Sequence, residues 1–128
     1  MAGPLMEAWD DFRAAAEARR SDLRNPEKAA ALVAARARLE EALKSALQRV
    51  PYRTRRVGDL RPGRDGGQVH LALAGEVSLQ GWRRRAGQTL CGDAPGRPAP
   101  DRPVTCGACL RLAERHQGVE LDPPELGL

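Results

Sequence analysis

The stretch TLCGDAPGRPAPDRPVTCGACLRLAER, residues 89–115, contains all three cysteines of this 128-residue chain. Cys106 and Cys109 are separated by two residues, and Gly107 between them permits a tight turn. Two thiolates at this spacing can point at one metal ion. The turn also leads into a short predicted helix, 106–118, whose free backbone N–H groups favour the thiolate form. The stretch therefore predicts a metal site built around a turn and a helix start.

A tetrahedral zinc site needs a fourth ligand, and the chain has two histidines to offer. His116 lies about two helical turns, roughly 10 Å, beyond Cys109, which is too far to share its ion. His70 lies in a predicted strand, on the face opposite the apolar residues. Asp93 is a weaker oxygen-donor alternative. The predicted cofactor is therefore a structural Zn²⁺ bound by His70, Cys91, Cys106 and Cys109.

Other interpretations of these residues stay open at this point. The thiols can be ordinary buried cysteines at a helix start, and His70 can be a plain surface histidine. A disulfide or redox pair of Cys106 and Cys109 is disfavoured, because no thioredoxin-like βαβ pattern surrounds it. A catalytic metal is disfavoured too, because no Glu stands two residues after His70, as the deaminase order requires. We therefore expect no enzyme activity and no small-molecule substrate.

Two amphipathic helices are predicted in the first 50 residues. Leu5, Trp9 and Phe12 are spaced by four and three positions, which marks one face of a helix from 4 to about 23. A second helix, 26–50, begins at an Asn-Pro pair, where Asn is a favoured N-cap, and is stopped by a following proline. Because the joint between them is short, the two helices are predicted to form an antiparallel hairpin.

Glycine, proline and arginine become frequent after the hairpin, and the periodicity shortens. Strands are predicted at 52–57 and 68–75, with a third short strand ending at Cys91. The residues at 61–67 have the composition of a turn, and 93–103 has four prolines and is predicted to be a loop. The predicted fold class is α+β, with a helical hairpin (1–50), a small zinc-ribbon-like unit of short strands and one short helix (51–118) and a flexible tail (119–128).

The same residues carry a resemblance. A His in a VHL stretch, then TLCG, then a variable loop, then VTCGACLRLA is similar to small zinc-binding, zinc-ribbon or zinc-finger-like proteins of actinobacteria and their phages. Those proteins share the order His, Leu-Cys-Gly and Thr-Cys-x-x-Cys-Leu. The resemblance covers residues 69–113, omits the hairpin and implies a metal fold more than an activity. One departure is that about 20 residues separate His70 from Cys91, so that GEVSLQGWRRR reads as an insertion.

Positive charge is concentrated in the middle of the chain. Residues 49–85 contain nine arginines against three acids, whereas the whole chain has a net charge of +4. Such a basic face suits phosphate backbones, and Trp82 is placed to stack on a base. The alternatives are a solvated surface in an arginine-biased chain or a site for an acidic protein partner. The predicted nucleic-acid-binding residues are Arg53, Arg55, Arg56, Trp82, Arg83, Arg84 and Arg85.

The favoured function is a small, non-enzymatic zinc-binding regulator that contacts nucleic acid or a nucleoprotein complex through its arginine-rich face. No recognition helix is visible, so sequence-specific reading of the major groove is not indicated. The alternative is a protein–protein adaptor, or a phage-type inhibitor of a host complex, acting through helices 4–50, which can also self-associate. No apolar run approaches the roughly 18–20 residues of a membrane span. The N-terminus lacks the layout of a secretory signal, so we expect a cytoplasmic protein without a membrane partner.

Overall fold

The structure is a computed structural model that describes residues 3–59, 67–93 and 96–123. Two N-terminal helices precede short antiparallel strands and a final short helix, so the predicted α+β class is confirmed. The elements are α1 (Pro4–Ser21), α2 (Pro26–Leu47), β1 (Thr54–Gly58), β2 (Val69–Leu73), β3 (Val77–Leu79), β4 (Trp82–Arg84), β5 (Arg97–Pro98) and α3 (Gly107–Arg115).

The helical hairpin begins and ends close to the predicted positions. The side-chain oxygen of Asn25 accepts hydrogen bonds from the backbone N–H groups of Glu27, at 2.9 Å, and Lys28, at 3.4 Å, so the predicted N-cap of α2 is confirmed. α2 ends at Leu47, three residues before the predicted end. α3 also ends earlier than predicted, and Gly118 follows it with a positive φ of 75°, a conformation that glycine adopts without strain.

The strands form a three-stranded antiparallel sheet in the order β2–β1–β5 and a separate β3–β4 hairpin. Beyond β2, the segment before Cys91 contributes a single bridge between Thr89 and Ala72, where a third strand was predicted. The prediction that 93–103 is entirely loop is wrong at β5, which pairs with the end of β1. A proline is tolerated there because β5 is an edge strand, where its missing N–H leaves no ladder bond unmade.

One hydrophobic core joins the hairpin to the sheet. Leu39 and Leu43 of α2 pack in the same buried cluster as Leu71 and Leu73 of β2 and Leu110 of α3. All five residues of β2 are buried, because its apolar face lies in this core and its other face is also covered. The predicted division of the chain at residue 50 therefore separates two types of secondary structure that share a core.

The segment after α3 is held against the β3–β4 hairpin. The backbone N–H of Asp122 donates to the Ser78 carbonyl at 2.9 Å. Its carboxylate accepts from the Ser78 hydroxyl and from the backbone N–H of Gln80, both at 2.8 Å. These contacts lie within the predicted flexible tail, 119–128, which the structure describes as far as residue 123. The residues 124–128 of that tail, and the predicted turn except for Gly67, lie outside the described residues.

None of the helices in the described part of the chain is long and apolar enough to cross a membrane.

Candidate metal centre

The fold brings one histidine and all three cysteines together. One ligand atom from each of His70, Cys91, Cys106 and Cys109 lies within 4.8 Å of all the others. His70 is 3% exposed, Cys109 is fully buried, and Cys91 is partly exposed. The alternative that His70 is a surface histidine is therefore wrong, because α3 and the turn at Cys91 cover the face of β2 that the sequence pattern left open to solvent. These four residues are close enough to hold a metal ion.

Backbone hydrogen bonds fix the start of α3 next to β2. The N–H groups of Thr105 and Cys106 both donate to the Val69 carbonyl, at 3.0 and 3.1 Å, and the N–H of Val69 donates to the Thr105 hydroxyl at 2.9 Å. Cys106 is the N-cap of α3, and its sulfur accepts from the N–H of Cys109 at 3.5 Å. The two cysteines of the Cys-x-x-Cys motif are thereby placed beside His70.

The third cysteine is positioned by a tight turn that follows the bridge to β2. The N–H of Leu90 donates to the Leu71 carbonyl at 2.8 Å, which ties this segment to the sheet. The Thr89 hydroxyl accepts from the N–H of Asp93 at 2.8 Å, and Gly92 has a φ of 97°, so the chain reverses directly after Cys91. This reversal directs the Cys91 sulfur back toward β2.

The His70 ring presents one nitrogen to the sulfurs and the other to an acid. Its Nδ1 lies 3.5 Å from the Cys91 sulfur and 3.9 Å from the Cys109 sulfur. Its Nε2 lies 2.6 Å from Oδ1 of Asp59. Tetrahedral zinc with bonds of about 2.3 Å to sulfur and about 2.1 Å to nitrogen places S and N ligands roughly 3.6 Å apart. The observed separations match that value, so the donor set fits a tetrahedral ion.

The electrostatics of the cluster favour a cation among the sulfurs. The hydrogen bond to the Cys109 thiol is the main cause that lowers the pKa of Cys106 to about 5, and the N–H of Cys109 and the nearby His70 add to it. Conversely, the hydrogen bond to Cys106 and burial raise the pKa of Cys109, and burial raises that of Cys91. Cys106 is thus the most acidic of the three thiols. A bound divalent ion would let all three ionise, because coordination deprotonates a thiol outright.

His70 and Asp59 reinforce each other. Burial alone lowers the pKa of His70, but hydrogen bonds with Asp59 and Cys106 outweigh it and leave the pKa raised. The backbone N–H of Gln68 and the His70 ring lower the pKa of Asp59. An ionised acid behind a histidine ligand is the usual outer-shell arrangement of protein metal sites, where it fixes the ring orientation.

Asp93, the predicted oxygen-donor alternative, lies outside the four-residue cluster. Its carboxylate is 3.6 Å from the Cys91 sulfur and 3.9 Å from Nε2 of His70, which is the ring nitrogen turned away from the sulfurs. Its side chain is 68% exposed. Asp93 therefore stands in the outer shell of the candidate site.

His116 is buried in a different place, as its distance from the Cys-x-x-Cys motif predicted. Its Nδ1 and the Tyr52 hydroxyl share a hydrogen bond of 2.7 Å, and its ring meets Trp82 at 4.6 Å between centroids. Burial, with Arg115 and Arg84 nearby, lowers the pKa of His116. His116 is thus a neutral histidine of a small aromatic cluster.

The predicted arginines come from two segments of the sequence, 53–56 and 83–85, and β2 lies between them. The N–H of Ala74, just after β2, donates to the Arg53 carbonyl at 2.9 Å, and on the other side the N–H of Leu73 donates to the Gln88 carbonyl at 2.9 Å. Since adjacent strands are about 4.8 Å apart, the outer segments are separated by roughly 10 Å. The exposed members of the predicted set are Arg53, Arg55, Arg83 and Arg85.

The other three predicted nucleic-acid contacts are partly buried. Arg56 forms an ion pair with Glu40 of α2. Arg84 lies over the Trp82 ring at 4.7 Å from its centroid and donates to the Leu90 carbonyl at 3.1 Å. Trp82 is half-buried between Arg84 and His116, so its ring already makes internal aromatic contacts.

The sequence reasoning did not identify Asp59 as part of the site. Only the register of the strands indicates this role, because β1 pairs with β2 up to Gly58 and Val69, and Asp59, the first residue after β1, therefore lies beside His70.

No known protein family matches the sequence, and no curated protein or solved structure shows significant similarity to it. The resemblance to actinobacterial and phage zinc proteins therefore stays a prediction.

Proposed function

We propose that the chain is a non-enzymatic protein whose cysteine and histidine cluster binds one structural Zn²⁺. The observation that carries the proposal is that one ligand atom from each of the four residues lies within 4.8 Å of the others, with Nδ1 of His70 at 3.5 and 3.9 Å from the sulfurs of Cys91 and Cys109. Soft thiolate ligands in such a site favour zinc over hard cations. Through its four ligands the ion would link β2, the turn at Cys91 and the start of α3.

The two histidines provide a matched test of this site, because both are buried and one alone lies in the cluster. Cobalt in place of zinc gives a visible spectrum that reports tetrahedral thiolate coordination. We expect His70→Ala to weaken cobalt binding and to change that spectrum. His116→Ala should leave both unchanged. Equal effects of the two substitutions would contradict the proposed ligand set.

The four exposed arginines support nucleic acid as the partner. Arg53, Arg55, Arg83 and Arg85 are exposed on two segments that flank β2, which spreads positive charge across one end of the sheet. Arginine contacts to phosphate give affinity without sequence preference. Because the Trp82 ring makes internal contacts, we propose that recognition depends on the backbone phosphates rather than on base stacking.

The test is the salt dependence of binding to a labelled single-stranded oligonucleotide. Each phosphate contact contributes a slope of about −0.7 between log affinity and log salt. Changing the four exposed arginines to Ala should therefore weaken binding strongly at low salt and flatten the slope by about 3. The control removes four exposed arginines of the hairpin, Arg20, Arg24, Arg36 and Arg38. Equal losses in both quadruple variants, or none in the first, would contradict a nucleic-acid role for this surface.

A second candidate function, an adaptor that acts through the hairpin, is favoured by one observation. Val33 on the outer face of α2 is 70% exposed, and the residues one turn on either side of it, Ala30 and Ala37, are exposed as well. A partner held there would be lost on Val33→Asp and would respond little to salt. A steep salt response that survives Val33→Asp favours nucleic acid instead.

A further inference from the structure

Asp59 is held in a fixed position at the end of the β1–β2 ladder. Its backbone N–H donates to the Gln68 carbonyl at 3.0 Å, and its Oδ2 accepts from the Gln68 N–H at 2.8 Å. These two bonds leave Oδ1 directed at the His70 ring, 2.6 Å from Nε2. The carboxylate therefore has one oxygen that anchors it to the backbone and one that contacts the histidine.

A neutral imidazole carries a single ring proton, on either Nδ1 or Nε2, and a metal binds the nitrogen without it. A carboxylate at Nε2 holds the proton there, so that the lone pair of Nδ1 faces the cysteines. We propose that Asp59 is a positioning residue of the metal centre, which fixes His70 in the tautomer that offers Nδ1 to the ion. This inference rests on the proposed zinc binding.

Asp93 is the natural comparison for Asp59, because both carboxylates approach the same ring nitrogen. Asp93 is 3.9 Å from Nε2, too far for a hydrogen bond, and its side chain is 68% exposed against 34% for Asp59. The geometry thus assigns the positioning role to Asp59. Removing the Asp93 carboxylate takes away the same charge without taking away the hydrogen bond.

Asp59 also closes the β1–β2 ladder, so loss of stability alone would not identify a positioning role. Two measurements separate the roles. The zinc affinity, from competition with a chelator, reports the metal centre, and the NMR nitrogen shifts of the His70 ring report which nitrogen is protonated and which binds zinc. A ladder contact by itself would leave the tautomer of His70 unchanged.

The experiment compares the full-length wild type with Asp59→Ala, Asp59→Asn and Asp93→Ala. We expect Asp59→Ala to lower the zinc affinity by about 10- to 100-fold, the usual effect of losing such an outer-shell partner. It should also let both ring tautomers become populated. Asp59→Asn keeps one acceptor oxygen and should show a smaller loss. Asp93→Ala should lose less zinc affinity than Asp59→Ala and should keep Nδ1 of His70 coordinated.

The outcomes distinguish this inference from zinc binding itself. Asp59 variants that match Asp93→Ala in affinity and in the His70 nitrogen shifts overturn the positioning role and leave the zinc site intact. A wild-type protein that takes up no zinc overturns both. Should Asp59→Ala fail to fold, Asp59→Asn decides the question: unchanged affinity and Nδ1 coordination overturn the inference, and reduced affinity with a mixed tautomer supports it.

Discussion

The helical hairpin and the half of the chain that follows it are stabilised in different ways. In the hairpin the buried residues are apolar, such as Leu39 and Leu43 of α2, and the side chain of Asn25 caps the start of α2. In the second half the strands are two to five residues long, and three of the four candidate metal ligands, His70, Cys106 and Cys109, are buried. The ion would hold these ligands together, so we expect loss of the ion to disorder this half more than the hairpin, with which it shares a core.

Loss of the ion gives the largest expected effect. Cys109 is fully buried beside the other ligands, and Cys109→Ser removes a thiolate from the site. Structural zinc contributes roughly 10 kcal/mol or more of binding free energy in small zinc domains, so the second half should lose most of its ordered structure. Hydrogen exchange should show a larger loss of protection in the amides of β2 and α3 than in those of α2. Equal loss of protection in α2 would contradict the difference between the two halves.

Truncation of a hairpin leucine should have the opposite pattern. Leu43 is 1% exposed in the shared core, and Leu43→Ala should lower the free energy of unfolding by about 2–5 kcal/mol because it leaves a cavity. Zinc content per folded chain should stay at the wild-type value. The control is Val33→Ala on the exposed face of the same helix, which should cost less than about 0.5 kcal/mol. Loss of zinc in Leu43→Ala would mean that the metal half depends on the hairpin core.

A smaller effect is expected where the two halves meet. The Glu114 carboxylate of α3 accepts from the backbone N–H of Met6, at 3.2 Å, in the first turn of α1, where negative charge is favoured. Glu114→Gln should lower the free energy of unfolding by about 1 kcal/mol. Glu17→Gln, an exposed change in the C-terminal half of α1, serves as the control. Indistinguishable denaturation curves for the two variants would show that this contact does not couple α3 to α1.

The smallest expected effect concerns acid. The pKa of buried His116 is lowered from 6.5 in the fold, so folding is favoured while the ring is neutral, and this stabilisation is lost as the pH falls below about 6.5. The stability difference between wild type and His116→Gln should therefore shrink from about pH 7.5 to about pH 5.5. Acid also weakens metal binding, but it does so equally in both proteins, and this effect therefore cancels in the stability difference between them. A difference that grows on acidification would contradict a neutral His116.

The sequence predicted the residues whose positions depend on local rules. The N-cap at Asn25 and the start of α2 follow from the preferences of single residues, and both are confirmed. The Cys-x-x-Cys spacing and the exclusion of His116 by distance along a helix also depend on local geometry. They led to the four residues that the fold brings together.

Features that depend on strand pairing could not be predicted. Periodicity indicates that a segment is extended, but it does not say which strand lies beside it. The predicted basic face combines arginines from two segments of the sequence, and β2 lies between those segments in the fold. Asp59 became visible as a partner of His70 only through the register of β1 against β2, and β5 only through its pairing at the sheet edge.

The most direct test of the metal centre is the zinc content of full-length protein purified without chelator under reducing conditions. The account predicts one zinc per chain in the wild type and a large reduction in His70→Ala, with His116→Ala unchanged. A wild-type protein that is folded and zinc-free, with β2 and α3 as well protected from hydrogen exchange as α2, would contradict it.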